Sequence, residues 1–190
     1  MGEGRPDLAE VQALAERLVA PLGDRWLHLQ AVGARAAVLS PAVAEADREV
    51  LIMAGWLHDI GYSTAIGHTR FHPLDGAVYL SKLEYPRRLV CLVAHHSGAR
   101  YEAHERGLSE ELAAFELEDS PVMDALITAD MTTGPQGQRL SFGDRLTEIL
   151  SRYGPGSVVN RAMTAASPAL GDAVDRTAAR LADIDLASVL

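Results

Sequence analysis

The chain has 190 residues, is 48% hydrophobic and 23% charged, and carries a formal net charge of −9. That length suits one domain, and that apolar fraction excludes a disordered chain. The acidic balance argues against a partner such as long nucleic acid, which needs a basic phosphate-reading face, but it admits a small anionic substrate if metal ions supply local positive charge. A single cysteine, Cys91, excludes a disulfide-stapled scaffold and points to a reducing, cytoplasmic setting. The Met1-Gly2 start lacks the apolar run of a signal peptide, and Pro6 stands where a myristoylation start needs Ser or Thr. No run of 18 apolar residues reads as a membrane span.

Sparse aromatics and abundant Ala and Leu favour helix over sheet. Leu8, Val11, Leu14 and Leu18 fall at helical spacing over 7–20, and Pro21 ends the run. A second helix is expected over 23–39. Ser40-Pro41 reads as an N-cap and first position of a helix reaching about Asp59. Residues 60–72 read as loop, and Pro73 and Pro86 as starts of helices over 73–84 and 86–96. The polar stretch 97–108 reads as irregular apart from a turn near Glu102. Ser109 caps a short helix to Phe115, and Asp119-Ser120-Pro121 opens a helix to about Met131. Gly134-Pro135-Gln136-Gly137 is a loop. Ser141 caps 142–152, and two helices follow at 157–166 and 168–184. The expectation is all-α, with a main helical domain over 1–150 and a helical extension over 151–190 packed on it. Exposed apolar positions in the last two helices could support a homodimer.

The chemistry lies in His and Asp. His28, His58, His72, His95 and His96 each fall in, or at the end of, a predicted helix with an apolar face. His58 is followed directly by Asp59, and Asp130 sits in the apolar helix Val122–Asp130. A buried carboxylate without a partner costs several kcal/mol or more. No Lys or Arg lies within helical reach of Asp130, so a metal ion with neutral imidazoles in its shell is the economical partner. A lone His in a helix is ordinarily a surface or satisfied core residue; the ordered set on successive helices is what favours ligation. Either or both of His95 and His96 are expected to ligate.

The order His28, His58-Asp59, Asp130, with the phrase Leu57-His58-Asp59-Ile60-Gly61, resembles the HD-domain superfamily, metal-dependent phosphohydrolases with an all-α helical-bundle core. His72 and the His95-His96 pair resemble the subset with a two-metal site. The resemblance spans roughly residues 8–150. It implies one metal held by His28, His58, Asp59 and Asp130, and a second held by His72 with His95 and/or His96, Asp59 bridging. It implies divalent ions of the Fe, Mn, Co or Ni type, with Zn or Mg also compatible. The implied function is hydrolysis of a small phosphate ester or nucleotide by a metal-bound hydroxide, with Asp59, His58 and His96 as catalytic residues. Many relatives carry Lys just after the Gly of this phrase, where this chain has Tyr62, so another cation or another chemistry is needed. The alternatives are an HD-fold di-iron oxygenase cleaving a small organic substrate, and a non-catalytic HD binding module.

Candidate substrate contacts are His68 and Arg70 in the loop before His72, Arg100 beyond His96, and Thr133, which with Thr132 could line the pocket. Each weighs evenly against a solvated surface position. His104 reads as structural or surface, and Cys91 as core. Arg25 could pair with a carboxylate near the site or snorkel to solvent. Arg145 reads as a surface ion pair with Glu148, three residues on.

Overall fold

A computed structural model of the chain describes residues 6–184. The Met1-Gly2 start and the last six positions of the 151–190 extension lie outside those residues. Among the described residues the fold is all-α, with one isolated bridge, between Thr133 and Arg139, and no strand. Among the described residues no helix is long and apolar enough to cross a membrane.

Local chemistry sets most helix starts. Helix α1 (Leu8–Val19) opens on a capping box between Asp7 and Glu10. Helices α2 (Asp24–Leu39) and α3 (Arg48–Leu57) pack against each other. Their contact is close because the ring of Trp56 fills the space where Gly33 lacks a Cβ. Helices α4 (His72–Lys82) and α5 (Arg87–His95) also pair, and Pro73 and Pro86 stand at their beginnings, where a missing N–H costs nothing. Then come α6 (Ala99–Arg106), the single turn α7 (Ser109–Leu112), and α8 (Pro121–Met131), capped by Ser120. Every residue of α8 from Val122 to Met131 is buried, Asp124 and Asp130 among them. α2, α3 and α10 pack against it. α9 (Phe142–Tyr153) and α10 (Val158–Ala182) complete the chain.

Three expectations differ from the structure. Ser40-Pro41 does not open the third helix; Ser40 closes α2, and 3-10 turns at Ser40–Ala42 and Glu45–Asp47 lead into α3. The polar stretch 97–108 is largely helical, because Gly98 and Gly107 take positive φ and cap α6 at both ends. The two C-terminal helices are one. Pro168 lies inside α10 and removes the N–H that would reach the Thr164 carbonyl, but Ser167 Oγ donates to that carbonyl at 2.9 Å. α10 lies across α6, α8 and α9, and its Arg176 and Arg180 pair with the buried Asp124 of α8.

Candidate metal centre

Five segments converge on one point. α2 supplies His28, the end of α3 supplies His58 and Asp59, α8 supplies Asp130, and the starts of α4 and of the turn after α5 supply His72 and His96. Gly61 makes this convergence possible. A Cβ there would lie 1.9 Å from the His72 carbonyl oxygen, so only glycine lets the turn after Asp59 rest on the first turn of α4. Asp59 Oδ1 and His72 Nε2 are thereby brought to 3.2 Å.

The cluster divides into two groups of possible donors. His28, His58 and Asp130 form one, and Asp59, His72 and His96 the other; within each group the ligand atoms all lie within 4.8 Å of one another. Asp59 stands between the groups, with Oδ2 3.8 Å from His28 Nε2 and Oδ1 3.6 Å from His58 Nε2 and 3.8 Å from His96 Nε2.

The ring orientations reveal what the cluster lacks. His28, His58 and His96 each place Nδ1 against a backbone carbonyl: Gly134 at 3.1 Å, Gly55 at 2.9 Å and Val93 at 2.7 Å. A carbonyl only accepts, so Nδ1 carries the proton and Nε2 of each neutral ring presents a lone pair inward. His28 Nε2 then meets Asp130 Oδ1 at 3.1 Å, and His96 Nε2 lies 3.1 Å from His72 Nε2. His58 Nε2 is buried with no hydrogen-bond partner. Burial lowers the pKa of His58, His72 and His96, which keeps these rings neutral. Burial alone would raise the Asp59 carboxyl, but the Arg25 guanidinium beside it holds it well below the usual carboxylate range. At Asp130 burial likewise opposes ionisation, and the Arg145 guanidinium favours it. Neutral imidazole lone pairs facing ionised carboxylates across 3–4 Å form a donor set with no cation of its own in the middle, and a divalent metal fits it.

Cationic and aromatic side chains surround the cluster. Arg25 Nη1 donates to Asp59 Oδ2 at 2.8 Å, and the Arg25 guanidinium lies 3.8 Å over the Tyr62 ring. Tyr62 in turn stacks on His72, centroids 3.9 Å apart. The side chain in the Lys position is thus a flat wall, and Arg25 brings a cation beside it. Ser97 Oγ donates to Asp130 Oδ2 from a backbone with φ 45° and ψ 42°, a conformation costly for a non-glycine residue. Arg145 is 5% exposed, donates to Glu148 at 2.6 Å, and lies 4.0 Å from Asp130 Oδ1. Its pairing with Glu148 is present, but the position is buried in the site, because α9 turns this face inward.

Other candidates lie elsewhere. His95 is the last residue of α5; its Nε2 donates to the Phe115 carbonyl at 2.8 Å, and it belongs to neither donor group. The helix ends between the pair, so the two rings diverge. Asp75 takes the Thr69 amide and hydroxyl, which leaves the flanking His68 and Arg70 exposed. Arg100 is exposed with its guanidinium over Tyr101, and Thr133 Oγ1 donates to the Ala129 carbonyl. None of His68, Arg70, Arg100 and Thr133 lines the cavity over the cluster. His104 is exposed and Cys91 buried. Sequence reasoning passed over Ser97, although its place directly after the His pair was a signal.

The family model of the HD domain matches residues 25–128. That span includes His28, His58, Asp59, His72 and His96, and stops two residues short of Asp130. No curated protein and no solved structure matches the chain. The match covers more than half of the residues, and the chain belongs to the HD-domain family.

Proposed function

We propose that the chain is a phosphohydrolase that cleaves a small phosphate ester or nucleotide and depends on two divalent ions. The observation that carries this reading is the inward lone pairs of His28, His58 and His96, locked by their Nδ1 bonds and facing Asp59 and Asp130. His28, His58 and Asp130 would hold one ion, His72 and His96 the other, with Asp59 shared between them. When bound, such ions supply the charge that neutralises phosphoryl oxygens and eases attack by water.

The chain's own groups do the rest. Arg25 and Arg145 stand beside Asp59 and Asp130, where the phosphoryl group would sit, and provide N–H donors for its oxygens. Arg25 takes the part that Tyr62 cannot. Met131, Ile149, Val159 and Met163 line the same cavity and limit water around the reacting group. In the hydrolysis one water oxygen bonds to phosphorus as the ester P–O bond breaks. The water's proton ends on the departing alkoxide, and the products are an alcohol and inorganic phosphate.

The test is elemental analysis of protein purified without added metal, then phosphate release across a panel of phosphomonoesters and nucleotides with Mn or Co. Metal-dependent release is the expected result. Loss of metal to a chelator with no change in activity would overturn the reading. Tyr62 in the Lys position favours a second reading, an iron-dependent oxygenase; iron as the only bound metal, with oxygen uptake and no phosphate release, would establish it instead.

A further inference from the structure

Two cavities meet at one wall. The inner cavity, over the donor cluster, has a volume of about 80 Å³. Allowing ~10–15 Å³ per water-sized sphere, that is room for about as many atoms as one phosphate group contains. The outer cavity has a volume of about 500 Å³, the size of a small-molecule pocket. Arg25, Tyr62, Arg145 and Arg152 line both. The inner space therefore takes the reacting group, and the body of the substrate lies outside it.

The outer cavity is rich in arginine. Arg25, Arg145 and Arg152 line it, against the single carboxylate Asp24. Arg25 is matched by Asp59. Arg145 and Arg152 share one carboxylate, Glu148, which receives Arg145 Nη1 at 2.6 Å and Arg152 Nε at 2.8 Å. Arg145 also stands 4.0 Å from Asp130 Oδ1, whereas Arg152 pairs with the shared Glu148. Arg145 also keeps a buried Nε with no hydrogen-bond partner, although the residue is only 5% exposed. A buried N–H left without an acceptor is destabilising, and an accepting ligand removes that cost.

We infer that the substrate carries a second anionic group, a carboxylate or a further phosphate, bound by Arg152 and Arg145 in the outer cavity while the reacting phosphate occupies the inner one. This rests on the hydrolase reading for the identity of the reacting group. The subsite itself rests on the arginines. Arg25 and Arg145 face both cavities and orient the substrate across the wall; Arg152, farther from the donor cluster, reads the second anion. A plain alkyl phosphate lacks the group that Arg152 would hold.

The test compares two phosphonates of equal length, 3-phosphonopropanoate and propylphosphonate, titrated calorimetrically into the metal-loaded chain. The carboxylate-bearing probe should bind at least about tenfold tighter. Arg152→Gln should reduce that preference to about twofold or less, and Arg152→Lys should restore part of it, since the charge returns without the fork. Arg152 is partly exposed, so the thermal midpoint of each variant serves as a check on folding. Equal binding of the two probes, or a preference that survives Arg152→Gln in folded protein, overturns the inference. The matching esters, 2-carboxyethyl phosphate and propyl phosphate, are assayed alongside. If neither releases phosphate while the Arg152-dependent preference persists, the hydrolase reading fails and the anion subsite stands.

Discussion

Helix α8 buries two carboxylates six residues apart, and the protein treats them differently. Asp124, near its start, is met by Arg176 at 2.5 Å and Arg180 at 2.8 Å from α10. Asp130, near its end, faces His28 at 3.1 Å and receives the Ser97 hydroxyl, with the nearest guanidinium 4.0 Å away. The first is closed by cations and fastens two helices together. The second is surrounded by lone pairs and by a cation held at the edge of contact. A buried Asp alone therefore does not mark a candidate metal site; what marks one is a carboxylate faced by imidazole lone pairs.

Substitutions can break that contrast, and the largest effect belongs to Asp59. Asp59→Ala removes the carboxylate that stands between both donor groups and leaves Arg25 without its partner. Metal content should fall to background at both positions, and phosphate release should drop roughly a thousandfold, as when an electrostatic contact to the reacting group is lost. Elemental analysis and a phosphate assay check this. Full metal content in the variant would contradict the assignment. His72→Ala comes next. It touches one donor group only, so about half of the metal should remain, held by His28, His58 and Asp130. Proportional loss of both ions would show that the two groups act as a single site.

Asp124→Ala probes the other end of α8. Breaking a buried pair by removing one partner costs about 3–5 kcal/mol. Arg176 and Arg180 are 49% and 30% exposed, and solvent screens much of that, so about 2 kcal/mol is expected. For a chain of this size the thermal midpoint would fall by about 4–8 °C. Metal content should be unchanged. A loss of metal here, as large as that from Asp59→Ala, would erase the distinction between the two carboxylates.

The same contrast explains what could be read from the chain alone. Helix starts at Ser120 and Ser141 were legible because a cap is a local hydrogen bond. The His and Asp residues were legible because their order along successive helices resembles that of the HD family. Arg145 was not, since its 4.0 Å approach to Asp130 joins α9 to α8, and the local partner Glu148 already explained it. The continuity of α10 through Pro168 was hidden too, because it depends on the Ser167 hydroxyl reaching the freed Thr164 carbonyl. The substrate candidates His68 and Arg70 stand away from the cavity over the cluster for a related reason: Asp75 fixes Thr69 between them and thereby fixes which way the loop faces.

The smallest predicted effect separates His95 from His96, neighbours identical in type and nearly identical in burial. His96 follows the helix end, so its Nδ1 is tied to the Val93 carbonyl and its Nε2 turns to Asp59. His95, still in α5, spends Nε2 on the Phe115 carbonyl and so ties down the segment after α7. His95→Ala should lose that hydrogen bond, for about 1 kcal/mol of stability, together with some packing. Metal content should stay at the wild-type level, whereas His96→Ala should lose one ion. Calorimetric unfolding and elemental analysis of the two variants, side by side, decide the matter. Loss of metal from His95→Ala with the fold intact would mean that the ring leaves Phe115 when the ion binds, and would return His95 to the ligand set.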